Sequence, residues 1–231
     1  MSGSRSLTPF YIVLATVAVA GGVFIALQLG KGPQRLALST VGMPPVAGER
    51  GVVMGSDSAP VEVLEFSDFE CPYCARFAVL TLPDVKNRMV ASGQVRLRFV
   101  HFPLDIHAQG PHAHLAAACA NEQGRFWAMH DLLFENQDEW VRSRRPDRVA
   151  EGYAERLGLD MGRFRSCVRE QRGWSQVLAD RALGESLRVG GTPTVFVNGR
   201  QLSDPPSFDQ LRRIVDSLAQ LAPAAPAPAR R

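Results

Sequence analysis

The feature that most constrains this chain is a short apolar run leading directly into two closely spaced cysteines. Residues 61–66, VEVLEF, are typical of a buried strand, and FSDFECPYC then brings Cys71 and Cys74 to the start of a predicted helix. Backbone N–H groups and the macrodipole at a helix start stabilise a thiolate, so Cys71 is predicted to be the exposed, attacking cysteine. Cys74, predicted to be buried, lies one turn later and could attack a mixed disulfide at Cys71.

Other uses of a two-cysteine motif fit less well. Haem attachment needs a histidine directly after the second cysteine, where this chain has Ala75. A structural zinc site needs four ligands, and the separate Cys119 and Cys167 do not form a second close pair. The histidines are interpreted as ordinary surface or half-buried residues. We therefore expect no metal and no organic cofactor, and a purely structural disulfide between Cys71 and Cys74 stays an open alternative.

The remaining patterns predict an α/β domain. Residues 94–102, QVRLRFVHF, alternate apolar and basic side chains and predict a strand with one wet face. An Asn-Gly pair in residues 194–202 predicts a hairpin. Helical spacing fills residues 111–189, and Ser207 and Gln210 form a possible capping box for a last helix.

The N-terminal stretch has no charge between Arg5 and Lys31 and contains 21 consecutive, mostly apolar residues, PFYIVLATVAVAGGVFIALQL. As a helix this run would be roughly 30 Å long, enough to span a bilayer. A cleaved secretory signal ending at residues 18–20 is the alternative. Both interpretations of residues 1–30 export the rest of the chain.

Composition divides the rest of the chain into three parts. Residues 31–50 are rich in Gly and Pro and are predicted to be a linker, residues 51–221 the folded unit, and residues 222–231 a disordered tail. The net charge is +3, and acidic and basic residues are interspersed, so no basic stripe indicates nucleic-acid binding.

The order of strand, CPYC, long helical segment and GTPTVFVNG resembles the thioredoxin superfamily, specifically the DsbA-like thiol:disulfide oxidoreductases. The stretches FSDFECPYC, GRFWAMHDLLF and GGTPTVFVNG carry this resemblance, which covers residues 51–221. CPYC alone also occurs in glutaredoxins. The long gap between Cys74 and Pro193 leaves room for the helical insertion of DsbA-like proteins, here at about residues 105–189. The resemblance implies a thioredoxin-like α/β fold.

The resemblance also implies roles for residues around the cysteine pair. Pro72 and Tyr73 would support the site, and Thr192-Pro193 would be a cis peptide that exposes backbone to substrate strands. Tertiary packing can enforce a cis X-Pro bond at small cost. The preceding Gly190-Gly191, which lack side chains, are expected to let this backbone segment come close to the cysteine pair. The alternative is an ordinary trans proline at the start of a strand.

Glu65 lies six residues before Cys71, where the family has a buried glutamate that accepts a proton during exchange. On the predicted strand it shares a face with Val61 and Val63, so its carboxyl would be desolvated and its pKa raised. The alternative is a surface glutamate at a strand end.

Cys119 and Cys167 occupy positions that carry a second disulfide in some DsbA-like proteins. Such a bridge would close a loop of roughly fifty residues and stabilise the domain by about 4 kcal/mol in the chain-entropy model. Two buried free thiols are the alternative, less expected outside the cytosol.

Together these expectations describe a monomeric, single-pass membrane protein whose domain lies in the periplasm or outside the cell. It would donate its Cys71–Cys74 disulfide to reduced client proteins. The resemblance implies reoxidation by a membrane quinone-linked partner of the DsbB or VKOR type. A reductase or isomerase with the same site is the rival enzyme, although residues 31–50 are too short for the dimerisation domain of the familiar isomerases. A non-enzymatic periplasmic module is the third possibility.

Overall fold

The computed structural model describes residues 38–42 and 50–221, together with positions 17, 19, 21 and 22. For residues 38–42 and 219–221 the backbone alone is described. Within these residues, no helix is both long enough and apolar enough to cross a bilayer. The predicted anchor or signal lies outside them, apart from the four isolated positions, and so does the predicted tail.

The described residues contain one mixed sheet at the centre of the fold. Its strands are β1 (Leu38–Gly42), β2 (Val52–Met54), β3 (Val61–Ser67), β4 (Val95–His101), β5 (Thr194–Val197) and β6 (Arg200–Leu202), in the spatial order β1-β6-β5-β3-β4-β2. Strands β3 and β4 run parallel, and the other neighbouring pairs are antiparallel. The strands predicted from residues 61–66 and 94–102 are confirmed.

Strand β1 lies inside the segment that was expected to be only a linker. It pairs with β6, so that Leu38 faces Leu202 and Gly42 faces Arg200. No local signal marks this strand, because its partner is more than 150 residues away in sequence and the pairing is set by the sheet edge.

Helices surround the sheet and fill the segment between β4 and β5. They are α1 (Pro72–Leu80), α2 (Leu82–Asp84), a π-helical turn (Val85–Val90), α3 (Gly110–Asn121), α4 (Phe126–Glu135), α5 (Gln137–Val141), α6 (Pro146–Arg156), α7 (Met161–Glu170), α8 (Trp174–Ser186) and α9 (Phe208–Leu221). The predicted helical character of residues 111–189 is confirmed, and α3 to α8 form the insertion.

The predicted capping box and the hairpin are also confirmed. Ser207 N–H donates to Gln210 Oε1 at 2.8 Å, and Gln210 N–H donates to Ser207 Oγ at 3.4 Å, which is a capping box. Between β5 and β6, Asn198 and Gly199 have φ values of 46° and 76°, as a two-residue type I′ turn requires. The last helix of the insertion, α8, ends at Ser186, and Arg188 after it has a left-handed φ of 58°.

The sheet is apolar on both faces. On one face, Val61, Val63 and Leu97 are fully buried against α1, α9 and the insertion. On the other, Leu64 and Phe66 pack in a smaller cluster with Leu183 and Leu187 from the α8 region. Helix α8 can approach closely because residue 184 is a glycine: a Cβ there would lie 2.5 Å from the Phe102 ring.

The predicted wet face of β4 is wrong. Arg98 is only 7% exposed, and Arg96 is half-buried. Both guanidinium groups reach Glu62 Oε2 on the neighbouring strand, at 2.5 Å from Arg96 and 3.0 Å from Arg98. The basic residues that indicated solvent therefore form a partly buried ion-pair cluster, since the strand is central and covered on both sides.

A disulfide joins the insertion to itself, as the family resemblance implied. Cys119 of α3 is bonded to Cys167 of α7, 48 positions later in the sequence, with an S–S distance of 2.03 Å. The alternative of two free thiols is therefore wrong. Closing a loop of this length removes conformational entropy from the unfolded chain, which corresponds to about 4 kcal/mol in that model.

Candidate active site

The two CPYC cysteines lie at the start of α1 with free thiols. Cys71 is the N-cap residue, and Pro72 occupies the first helical turn, where its missing N–H costs nothing. Cys71 is 4% exposed and Cys74 is fully buried, so the expectation of an exposed Cys71 is wrong as stated, although it is the more accessible of the two. Tyr73, by contrast, is 70% exposed. The structure therefore shows a reduced dithiol with one sulfur near the surface.

The loop before β5 covers Cys71. The Thr192-Pro193 peptide is cis, and the Cys71 thiol donates to the Thr192 carbonyl oxygen at 3.3 Å. The expected tight approach at Gly190-Gly191 is not seen, because a Cβ at either position would meet nothing within 4 Å. The segment reaches the dithiol through the Thr192 backbone, 121 residues away in sequence.

The environment affects the two sulfurs in opposite directions. A hydrogen bond from the Cys74 thiol is the largest influence on the pKa of Cys71. Together with the Thr192 side chain and the N–H groups of Cys74 and Tyr73, it outweighs burial and lowers this pKa to about 5. Burial, together with the neighbouring Cys71 and Glu65, raises the pKa of Cys74 well above that of an ordinary thiol. Negative charge is thus stable on Cys71 and unstable on Cys74.

Glu65 lies on β3 beside the buried cysteine. It is fully buried, as are Val61 and Val63 on the same face, so the alternative of a surface glutamate is wrong. Within the described residues neither carboxyl oxygen has a hydrogen-bond partner. Burial raises the pKa of Glu65 to about 7, against smaller opposing effects of Ser67 and Lys86. A carboxyl that titrates near neutrality can donate or accept a proton.

Asp68 connects the loop after β3 to the loop after β4. Its N–H donates to Cys74 Sγ at 3.5 Å, while its carboxylate accepts from the Leu104 N–H at 2.8 Å and contacts His107 Nδ1 at 2.7 Å. Burial opposes ionisation, but hydrogen bonds with His114, His107 and Leu104 lower the pKa of Asp68 to about 2.

Glu70 makes the corresponding contact with the start of α3. Its Oε2 accepts from the N–H groups of Gln109 at 2.6 Å and Gly110 at 2.5 Å. These N–H groups have no intrahelical acceptor, and the helix dipole favours a carboxylate there. The Glu70 carboxylate, which directly precedes Cys71 in the sequence, is therefore bound by the insertion.

The expectation of surface or half-buried histidines fails for three of the five. His101, His114 and His130 are fully buried, and His101 Nδ1 lies 2.8 Å from His114 Nδ1. Burial, the first cause, lowers the pKa of His101 and His130. A histidine gives no periodicity signal of its own, so sequence patterns could not distinguish these residues from solvated ones. No group of side chains in the described ranges is arranged to hold a metal ion.

A groove of about 760 Å³ lies beside α1 and reaches Tyr73 of the CPYC motif. Tyr73, Phe77 and Leu80 of α1 line one wall, and the segment from 204 to 210 lines the other. Leu80 is 66% exposed, which leaves apolar surface open next to the CPYC motif.

Fold and site together define a thioredoxin-fold protein with a CPYC dithiol, a cis-proline loop and a helical insertion. Comparisons with known proteins agree. The family model described as Thioredoxin matches residues 48–217. The probable disulfide bond formation protein D of Bacillus cereus is 31% identical over 173 residues, covering 71% of this chain and 76% of that protein.

Solved structures share the fold. The oxidised BdbD crystal structure from Bacillus subtilis gives a TM-score of 0.69 at 24% identity, covering 80% of this chain and 100% of that chain. The crystal structure of Wolbachia pipientis alpha-DsbA1 gives a TM-score of 0.64 at 19% identity, covering 78% of this chain and 94% of that chain. The chain belongs to the thioredoxin family and is similar to proteins of disulfide bond formation.

A second kind of relative is much longer. The Na(+)/H(+) antiporter NhaA 3 of Salinispora tropica is 38% identical over 217 residues, covering 89% of this chain and 32% of that protein. The chain therefore spans about a third of the length of that relative.

The Cys71 thiolate should appear with a midpoint near pH 5 when the reduced protein is titrated and its ultraviolet thiolate absorbance is followed, as the pKa of about 5 requires. Cys74→Ala removes the strongest donor to Cys71 and should move the midpoint upward, whereas Cys74→Ser keeps a donor and should move it less. An unshifted midpoint in both variants, or preferential labelling of Cys74 by limiting iodoacetamide, would contradict this assignment.

Glu65→Gln should remove a pH dependence from the stability of the reduced protein. The pKa of Glu65 rises from 4.5 to about 7 on folding, so between these values the folded state binds more protons and stability falls as the pH rises. The free energy of unfolding of Glu65→Gln, relative to that of the wild type, should therefore grow by up to about 3 kcal/mol from pH 4.5 to about 7 and stay constant above that range. Denaturant unfolding at both ends of the window measures this, with Glu135→Gln as the exposed control; parallel profiles for wild type and Glu65→Gln would exclude a raised pKa.

Proposed function

We propose that this protein is an exported oxidase that donates a Cys71–Cys74 disulfide to reduced client proteins. The observation that carries the proposal is the unequal environment of the two sulfurs, with a pKa of about 5 for Cys71 and a raised pKa for Cys74. A stable thiolate favours the reduced enzyme over its disulfide, so the disulfide is readily given to another protein.

The exchange follows from the positions of these groups. A client thiolate attacks the sulfur of Cys71 in the enzyme disulfide, forms an intermolecular disulfide and displaces Cys74 as a thiolate. Neutral Glu65, buried on the same side of the site, is the source of the proton that Cys74 takes up, because the Cys74 thiolate is unstable in its buried position. A second client thiolate then attacks the client sulfur of the mixed disulfide and releases Cys71 as a stable thiolate. Two electrons have passed from the client to the enzyme.

Clients would bind over the surface around Cys71. The Thr192 backbone lies against the sulfur, and the groove beside α1 offers apolar contacts from Tyr73, Phe77 and Leu80. An extended polypeptide can use both, with main-chain hydrogen bonds for affinity and side-chain contacts for preference. Turnover then requires a partner that reoxidises the dithiol, and we propose a membrane quinone-linked protein of the DsbB or VKOR type for this role. We also propose that the enzyme is a monomer.

Export is supported by two features. The 21-residue apolar run near the N-terminus is long enough for an anchor. The Cys119–Cys167 bridge is of a kind that persists in oxidising compartments. We propose a single-pass membrane protein with its domain on the periplasmic or outer side.

Cys71 should accordingly react with a membrane-impermeant maleimide added to intact cells after mild reduction. Cys71→Ser is the control for labelling at this site. Labelling that appears only after the cells are lysed would place the domain in the cytosol and refute export.

The purified protein, equilibrated in glutathione buffers, should have a reduction potential well above the roughly −270 mV of thioredoxin. At pH 7 a thiolate of pKa about 5 stabilises the reduced form by about 2.7 kcal/mol, or roughly 60 mV. A potential at or below that of thioredoxin would assign the protein as a reductase. A CPYC disulfide that resists mild reductant and never turns over would instead make it structural.

A further inference from the structure

Gln137 connects the insertion to the backbone of the CPYC loop. Its Nε2 donates to the carbonyl oxygen of Phe69 at 2.7 Å and to that of Cys71 at 3.0 Å. Gln137 follows these residues by 68 and 66 positions, so both contacts are tertiary. Both hydrogens of one side-chain amide are thus directed at carbonyls on either side of Glu70.

These two bonds complete the restraint of a short segment. Cys71 N–H already closes a turn onto the Asp68 carbonyl at 3.1 Å, and the Cys71 carbonyl accepts the Ala75 N–H at 3.0 Å as α1 begins. Among the described residues, Gln137 supplies the one hydrogen bond that reaches the Phe69 carbonyl. Without it, this carbonyl would depend on solvent, and the segment could rotate about Glu70.

Gln137 is itself held in place. It is the first residue of α5, whose Trp140 is 1% exposed and donates from its indole N–H to the Leu133 carbonyl at 2.7 Å. Glu139, also on α5, accepts from the Tyr153 hydroxyl at 2.7 Å. A donor on such a rigid support restricts its acceptors more than a mobile surface glutamine would.

We propose that Gln137 is a positioning residue for disulfide exchange, because its amide fixes Phe69 to Cys71 so that the first N–H groups of α1 point at the Cys71 sulfur. The proposal rests on the proposed function, since it concerns the same thiolate. In the part of the chain that the structure describes, the Gln137 side chain forms hydrogen bonds only with these two backbone carbonyls. Its effect would reach the sulfur through the Tyr73 and Cys74 N–H groups, which contribute to thiolate stability.

The test compares Gln137→Met with Gln123→Met in the whole protein. Met has nearly the length of Gln but no donor. Gln123 is a matched control, because its amide also bonds backbone, donating to the Asp160 carbonyl at 3.2 Å and accepting from its N–H at 2.9 Å, within the insertion and away from the dithiol. Three quantities are measured: the midpoint of the thiolate titration, the equilibrium constant with glutathione and the thermal unfolding temperature.

Loss of the two bonds should raise the titration midpoint of Gln137→Met by about half to one pH unit and make its disulfide about 3- to 10-fold less oxidising. Gln137→Glu should shift both further in the same direction, because it adds negative charge near the sulfur. Gln123→Met should change neither. Unchanged values in both Gln137 variants, or equal shifts in Gln123→Met, would overturn the proposal.

Two further comparisons keep the result interpretable. The wild-type equilibrium constant alone tests the oxidase function, whereas the ratio of variant to wild type tests Gln137, so either can fail without the other. If the Gln137 variants do not fold, hydrogen exchange of the Gln137 side-chain amide in the wild type decides. Slow exchange is expected for a bonded donor, and exchange as fast as that of an exposed glutamine would overturn the proposal.

Discussion

The rest of this site depends on how the protein stabilises the Cys71 thiolate at a nearly fully buried position. Cys71 is 4% exposed, so solvent can supply little of the stabilisation that an anion needs. The donors must come from the protein, and they are the Cys74 thiol and the first N–H groups of α1. All of these have fixed directions, which makes the conformation of a few backbone bonds before α1 decisive for the chemistry.

The insertion supplies most of the contacts that fix this conformation. Glu70 accepts from the start of α3, Asp68 contacts His107 in the preceding loop, and Gln137 holds the carbonyls on either side of Glu70. The Cys119–Cys167 bridge in turn joins α3 to α7. The insertion is therefore a wall of the dithiol site as well as an addition to the core strand–helix unit.

Features set by neighbouring residues were predictable from the sequence. The strand before Cys71, the Asn198-Gly199 turn and the capping box at Ser207 all follow from short patterns, and the structure contains each of them. The family resemblance supplied the long-range pairings that patterns cannot give, namely Cys119 with Cys167 and Thr192 near Cys71.

Features set by distant partners were missed or misjudged. Arg98 looked solvated because its partner, Glu62, lies 36 residues earlier on another strand. Gln137 carried no signal at all, because a glutamine at a helix start becomes informative only once the loop it bonds is known. The buried pair His101 and His114 is similar, since neither residue marks its burial by spacing.

The buried side of the dithiol explains why one sulfur carries the charge. Cys74 and Glu65 lie together in an apolar region, and burial raises the pKa of both groups. Each ionisation there disfavours the other, since the two negative charges would repel in a medium that screens them poorly. A proton is therefore retained on this side of the site while Cys71 is charged, and the Cys74 thiol donates to the Cys71 thiolate. Burial is thus the main reason that this donor stays protonated, and the neighbouring Glu65 adds to its effect.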